Sequence, residues 1–206
     1  EELAKRLRAD FPLSNINAYK AWTAYDEQGV SFTALENSEI IVSCTADWLT
    51  DQALIDMQTQ HKFGPIVFSF VEPHAMAGHV IVNPEGSNAF NSLHIVDTNR
   101  VGKLKFPATQ WQESTIRKVP ACAGSFQPYG VIPLIHTQSM LVESILDHLT
   151  SKELLPPTHS VWFESTKELN LLNGKWSDSW VNEYGSPGDG KCQKRFAYDG
   201  INWIKQ

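Results

Sequence analysis

Three short runs decide the fold: Pro65–Val71 (PIVFSFV), His79–Asn83 (HVIVN) and Leu93–Asp97 (LHIVD). Each is rich in β-branched and aromatic residues, which favour extended structure. The turn-rich segment Pro84–Asn88 separates the second run from the third. Runs of this length, bounded by turn residues, predict adjacent strands of one mixed or antiparallel sheet.

Helical spacing of apolar residues flanks these strands. The pattern predicts helices over Glu1–Asp10, from Trp48 to about Gln60, over Leu134–Leu149 and over Thr166–Leu172, with further short strands at Glu39–Val42 and Thr115–Val119. Thr45 or Asp47 is a suitable N-cap for the second helix. The fold class is therefore α+β, a central mixed or antiparallel sheet flanked by helices. We expect one domain over residues 1–206, with a core at about 38–150 and a C-terminal extension at 151–206.

Composition narrows the functional classes. The chain has 206 residues, 42% of them hydrophobic and 19% charged, with a formal net charge of −6. This acidic balance repels a phosphate backbone, so we expect no nucleic-acid partner. No run of 18 apolar residues occurs, so no membrane span is expected. The chain begins at Glu1 rather than Met, which favours a processed product or an excised piece.

His79 and Asp97 are the most informative polar pair. His79 opens one predicted strand and Asp97 closes the next, so a hairpin would set both at the same end of the sheet. Asp97 would then orient the imidazole, leaving the other ring nitrogen to deprotonate a nucleophile. His74 and His94 are nearby alternatives, and His94, in mid-strand, better fits a packed or solvated residue. A strand-edge histidine beside a turn aspartate is the competing interpretation.

The nucleophile has more than one candidate among the three cysteines. Cys44 lies between a predicted strand and the start of the Trp48 helix, where the helix N-terminus would lower a thiol pKa. The order Cys44, His79, Asp97 is that of papain-like, transglutaminase-like and arylamine-acetyltransferase-like thiol enzymes. Cys122 lies in a loop after a predicted strand and supports the order His79, Asp97, Cys122. Cys192 is the weakest candidate.

Several of these segments resemble one family. Ser38–Val42 followed by Trp48–Asp51 (WLTD) resembles the strand and W-L-N-D helix start of ubiquitin-like-protein-specific proteases, the SUMO proteases and adenain. Gly78–Val82 resembles the family's histidine-bearing strand, and Ile95–Thr98 its Y-x-D-S strand. The likeness covers about residues 38–135. It implies a cysteine-protease-like fold in which His79 and Asp97 are the catalytic pair and Trp48, Leu49 and Asp51 are structural.

The nucleophile motif departs from that family. The family places a glutamine ahead of a D-C-G nucleophile at a helix start, whereas here Gln127 follows Cys122 and no Cys-Gly pair is present. Ala123 or Tyr129 would occupy the nucleophile position in two possible alignments. The nucleophile is therefore shifted to Cys122, relocated to Cys44, removed, or lost.

The sequence thus predicts a cysteine-dependent protease or isopeptidase acting on a protein, with ubiquitin or a ubiquitin-like protein as the partner that the resemblance implies. A transglutaminase-like or papain-like deamidase or acyltransferase using Cys44 is one alternative, and a catalytically inactive binding module of the same fold is another. No Walker loop, H-E-x-x-H or G-x-S-x-G motif occurs, so no cofactor or metal is expected. Free thiols favour a reducing cytosol, which for a secreted bacterial effector would be that of its host.

Overall fold

The computed structural model describes residues 1–19, 29–96, 102–118, 125–151 and 156–206. In chain order the elements are α1 (Glu2–Asp10), α2 (Val30–Glu36), β1 (Ile41–Ser43), α3 (Trp48–His61), β2 (Ile66–Val71), β3 (Ala77–Asn83), α4 (Ala89–Ser92), β4 (His94–Val96), β5 (Gly102–Leu104), β6 (Thr109–Trp111), β7 (Arg117–Lys118), β8 (Ser125–Phe126), α5 (Val131–Thr150), β9 (Thr158–Phe163), α6 (Thr166–Leu171), β10 (Gly174–Trp176), α7 (Asp178–Tyr184), β11 (Cys192–Tyr198) and β12 (Trp203–Lys205).

Six of these strands form the central sheet, in the order β1-β2-β3-β9-β11-β12. β1 runs parallel to β2, and every other neighbouring pair is antiparallel. All seven residues of β3 are buried, as expected of a strand in the middle of a sheet that is covered on both faces. The predicted class, α+β with a mixed sheet flanked by helices, is confirmed.

The two faces of β3 pack against different helices, because successive side chains point to opposite sides of a sheet. Ile81 belongs to a core cluster with Leu54 of α3 and Phe90 of α4. Val80 belongs to a second cluster with Met140 of α5. His79 alternates with Val80, so its ring projects on the side of α3 and α4.

The third predicted strand is not part of this sheet. The prediction that Pro65–Val71 and His79–Asn83 are neighbours is confirmed by β2 and β3, whereas the prediction for Leu93–Asp97 is wrong. The described part of that run, β4, pairs with β5 in a separate two-stranded sheet. The buried Asn83 side chain accepts a hydrogen bond from the backbone N–H of Phe90 at 2.9 Å, which holds the helical turn α4 between the two runs. Asp97 lies outside the described residues.

The strand predicted at Thr115–Val119 is present over a shorter range. Its described part contains the two-residue strand β7, which pairs with β8 outside the central sheet. Both β7 residues are exposed. Val119 lies outside the described residues.

The C-terminal part of the chain contributes to the central sheet. β9 pairs with β3 on one side and with β11 on the other, and β11 in turn pairs with β12. Both β9 and β11 therefore lie inside the sheet. Phe163 of β9, Phe196 of β11 and Trp180 of α7 are buried together in a third core cluster. Part of residues 151–206, expected as an extension of a core at 38–150, therefore packs into the same sheet. None of the helices in the described ranges has the length and apolar character needed to cross a bilayer.

Candidate functional site

A cavity of about 290 Å³ opens beside the N-terminal end of α3. It is lined by residues at the start of that helix and by the end of β2 and the chain after it: Ala46, Trp48, Asp51, Phe70, Val71, Glu72 and Pro73. Its remaining wall comes from α4 and the β4–β5 hairpin, through Phe90, His94, Gly102 and Leu104. Cys44 precedes α3 in the chain and His79 pairs with Phe70 across the sheet, so each is next to a lining segment, but neither is among the described lining residues.

The start of α3 is fixed by two carboxylates. Asp47 caps the helix, and its Oδ2 accepts from the backbone N–H of Thr50 at 3.0 Å, so Asp47 is the cap that the sequence left open against Thr45. Asp51 is 5% exposed. Its Oδ1 accepts hydrogen bonds from the hydroxyls of Ser43 at 2.5 Å and Thr45 at 2.9 Å. Because these hydroxyls belong to the residues on either side of Cys44, Asp51 sets the shape of the loop that carries the thiol.

Cys44 is an exposed residue in this loop. Burial of part of its side chain, followed by the charge of Asp51, raises the pKa of the Cys44 thiol above its ordinary value. The helix N-terminus was expected to lower that pKa, whereas burial and the Asp51 carboxylate act in the opposite direction. A thiol with a raised pKa is protonated at neutral pH.

His79 is fully buried in the middle of β3. Its Nε2 lies 2.9 Å from Oε1 of Glu72, and its Nδ1 lies 3.0 Å from Nε2 of His159. The ring also stacks on Phe70, with centroids 4.9 Å apart. Both ring nitrogens therefore have protein partners, and neither partner is a cysteine.

Glu72 provides the carboxylate that is hydrogen-bonded to His79, and no sequence pattern predicted this role. The two carboxylate oxygens also accept from the backbone N–H groups of Ala108 at 2.6 Å and Thr109 at 2.7 Å, and from the Thr109 hydroxyl at 2.5 Å. Burial acts to raise the pKa of Glu72, but the hydrogen bonds from His79, Thr109 and Ala108 outweigh it, and the pKa is lowered. Because the ionised carboxylate only accepts, Nε2 of His79 carries the proton of that hydrogen bond.

His94 is the histidine that lines the cavity. Its Nδ1 lies 2.8 Å from the carbonyl oxygen of Phe90. A carbonyl only accepts, so Nδ1 carries the proton and Nε2 keeps its lone pair. Burial lowers the pKa of His94 to about 4, so the ring is neutral at physiological pH. The ring lies 4.7 Å from that of Trp48, which makes His94 a neutral imidazole packed in the wall of the cavity.

The remaining predicted site residues are not brought together with these. Asp97 and Cys122 both lie outside the described residues. Cys192 is half-buried at the start of β11, with its sulfur 3.2 Å from the carbonyl oxygen of Pro187, and burial raises the pKa of its thiol. In the part of the chain that the structure describes, no three or more His, Cys, Asp or Glu side chains are grouped so as to hold a metal ion.

Known proteins add no identification at this point. No protein-family model matches the chain, and no curated protein matches its sequence.

Proposed function

We propose that this chain is a thiol-dependent enzyme that acts on a carbonyl group of a protein or peptide, with Cys44 as the nucleophile. The observation that carries this proposal is the cavity at the start of α3. The helix that follows Cys44, the cross-strand neighbour of His79 and the β4–β5 hairpin, which carries His94, all line this cavity. Cys44 is also exposed, which leaves the thiol accessible to a macromolecular substrate.

The proposed reaction is acyl transfer through a thioester. An imidazole takes the proton of the Cys44 thiol, the thiolate adds to the substrate carbonyl, and the amine leaves with that proton. Water then cleaves the thioester and restores the thiol. The first turn of α3 supports this assignment, because the backbone N–H groups of Trp48 and Leu49 have no hydrogen-bond partner among the described residues and are available to an oxyanion.

Two histidines are candidates for the base. His79 is favoured by the sequence, but Glu72 and His159 occupy both of its nitrogens. His94 is favoured by its place in the cavity wall and by the lone pair on its Nε2. Because the pKa of Cys44 is raised, the resting thiol needs a base at the moment of reaction, and a general base of either origin meets that need.

Electrophilic probes test the proposal. We would treat the protein with a peptide acyloxymethyl ketone and, separately, with ubiquitin and SUMO carrying a C-terminal vinyl methyl ester, and locate the adduct by mass spectrometry. One adduct per chain on Cys44, absent from Cys44→Ser and retained in Cys192→Ser, is the expected result. Labelling with the ubiquitin or SUMO probe would identify an isopeptidase. Adducts spread equally over the cysteines, or confined to Cys122, would overturn the assignment of Cys44.

A second candidate, a catalytically inactive binding module, is favoured by two observations. The raised pKa of Cys44 and the occupied nitrogens of His79 describe a site without a thiolate–imidazolium pair. For such a protein, the wild type and the Cys44→Ser variant would bind the partner equally well. In addition, no probe would react faster with Cys44 than with a free thiol of the same pKa.

A further inference from the structure

We propose that the cavity beside α3 receives a lysine or arginine side chain of the protein on which the chain acts. That this side chain belongs to a protein substrate rests on the proposed function. The binding itself depends only on the cavity.

The size of the cavity fits one long side chain. Its volume of about 290 Å³ lies at the lower limit of roughly 300–1,000 Å³ for pockets that hold drug-sized ligands. A single amino-acid side chain entering from a protein surface is therefore a better match than a large free metabolite.

The walls of the cavity suit the stem of a basic side chain. Trp48, Phe70 and Phe90 provide aromatic surface, and the rings of Trp48 and Phe90 stack with centroids 5.6 Å apart. Methylene groups pack well on such surface, and the π-electrons of aromatic rings attract a cationic head group.

The charge of the lining selects for a cation. Two carboxylates, Asp51 and Glu72, line the cavity, and none of its described lining residues is Lys or Arg. The one imidazole in the lining, His94, is neutral at physiological pH because burial lowers its pKa to about 4. Among its described residues, the cavity wall therefore has no cationic side chain beside these two carboxylates.

Asp51 offers a contact atom for this cation. Its side chain is 5% exposed, and both of its hydroxyl donors bond to Oδ1. Oδ2 has no hydrogen bond to a described residue and is not among the fully buried atoms without a partner, so it remains accessible to a donor. An ammonium or guanidinium group in the cavity would supply that donor as a charge-assisted hydrogen bond. The four donors on Glu72 already occupy both of its oxygens, so Glu72 contributes charge rather than a direct contact.

A titration of the intact protein tests this inference without any turnover. We would follow the indole N–H resonance of Trp48, assigned with Trp48→Phe, while adding the acetyl methylamide derivatives of lysine, arginine or norleucine. Saturable shifts with the lysine or arginine derivative, and binding of the uncharged norleucine derivative weaker by roughly tenfold or more, are expected for a charge-assisted contact. Equal binding of norleucine would overturn the inference, because it would define a purely apolar pocket.

Two variants locate the contact. Asp51→Asn keeps the oxygen that accepts from Ser43 and Thr45, and we expect it to weaken lysine or arginine binding by about tenfold. Asp56→Asn, an exposed carboxylate on the same helix, is the matched control and leaves binding unchanged. Unchanged binding by a folded Asp51→Asn variant would contradict the contact. If that variant does not fold, the comparison with norleucine in the wild type decides alone. Cys44→Ser should bind as the wild type does, so that a failed nucleophile assignment and a failed cavity assignment remain distinguishable.

Discussion

Asp51 connects the shape of the β1–α3 loop to the reactivity of the thiol in it. The hydroxyls of Ser43 and Thr45 both bond to its carboxylate, which fixes the residues on either side of Cys44. The same carboxylate raises the pKa of Cys44, so the loop is ordered at the cost of a less reactive resting thiol. The pKa of Asp51 is itself raised by burial, against the two hydroxyl hydrogen bonds.

This coupling predicts the effect of Asp51→Asn on the thiol. Removing the negative charge favours the thiolate, so the pKa of Cys44 should fall, while burial still keeps it from falling far. The measurement is the rate of iodoacetamide alkylation of Cys44 between pH 6 and 10, read by mass spectrometry. The curve should move to lower pH in Asp51→Asn and stay in place in Asp56→Asn. A curve that stays in place in both variants would contradict a Coulomb interaction between Asp51 and Cys44.

Glu72 predicts a dependence of stability on pH. Its pKa is lowered in the folded protein from an ordinary value of 4.5. A depressed folded-state pKa stabilises the protein at pH values above the unfolded pKa, and this stabilisation is lost as the pH falls through the lower folded-state value. Urea unfolding between pH 2.5 and 7 should therefore show a steep acid decline in the wild type.

Glu72→Gln should weaken that decline and lower the free energy of unfolding at pH 7 by about 3–5 kcal/mol, because it removes one member of a buried, hydrogen-bonded group. Glu85→Gln, in an exposed turn, serves as the control and should resemble the wild type. An acid decline of the same slope in Glu72→Gln would show that other carboxylates cause it.

Among the elements, β3 and α5 approach each other closely at Gly78. A Cβ atom at Gly78 would lie 1.7 Å from Oγ1 of Thr137, a residue of α5. The buried Oγ1 of Thr137 has no hydrogen-bond partner among the described residues, so this oxygen fills space without a polar role. The absence of a side chain at position 78 thus sets the distance of α5 from the strand that carries His79.

Gly78→Ala should therefore lower the free energy of unfolding by about 1–3 kcal/mol through overpacking. Thr137→Ala alone should cost little, and in its background Gly78→Ala should cost about 1 kcal/mol less than in the wild type. Chemical denaturation of the four proteins gives this coupling energy. Additive effects would mean that α5 shifts freely to accommodate the methyl group.

The elements also show what local sequence patterns can predict. α3 was predicted because its apolar spacing and its Asp47 cap are local features, and β2 and β3 because each is a short apolar run next to turn residues. Leu93–Asp97 has the same local pattern as those strands, yet it forms a separate hairpin. The hydrogen bond from Phe90 to Asn83 that diverts the chain depends on tertiary packing, which no spacing rule contains.

The site was predictable to a smaller extent than the fold. The sequence drew attention to Cys44, His79 and the strand that precedes Asp97, and of these the strand supplies a lining residue of the cavity, His94. It contained no sign of Glu72 or His159 as the partners of His79, since His159 lies 80 residues away in sequence. Partners on distant strands are set by sheet order, here β3 beside β9, which the chain does not encode locally.

For the whole molecule, the sheet order predicts that the C-terminal part is required for folding. β3 pairs with β9, and a chain that ends at Ser151 would leave that edge of a fully buried strand without hydrogen bonds. The truncated chain should show no cooperative thermal unfolding and poorly dispersed NMR resonances, whereas the full chain should show both a transition and good dispersion. A cooperative transition in the truncated chain would mean that residues 152–206 are a separable extension.

The central proposal is that Cys44 performs acyl transfer with help from a histidine. The most direct measurement is the acylation of the full chain by p-nitrophenyl acetate, with the acyl group located by mass spectrometry in the wild type, His79→Gln and His94→Gln. We expect one acyl group on Cys44, formed at least about tenfold more slowly in one of the two histidine variants, as loss of a general base requires. Acylation of Cys44 at the same rate in all three proteins, or no acylation of Cys44 at all, would contradict the account.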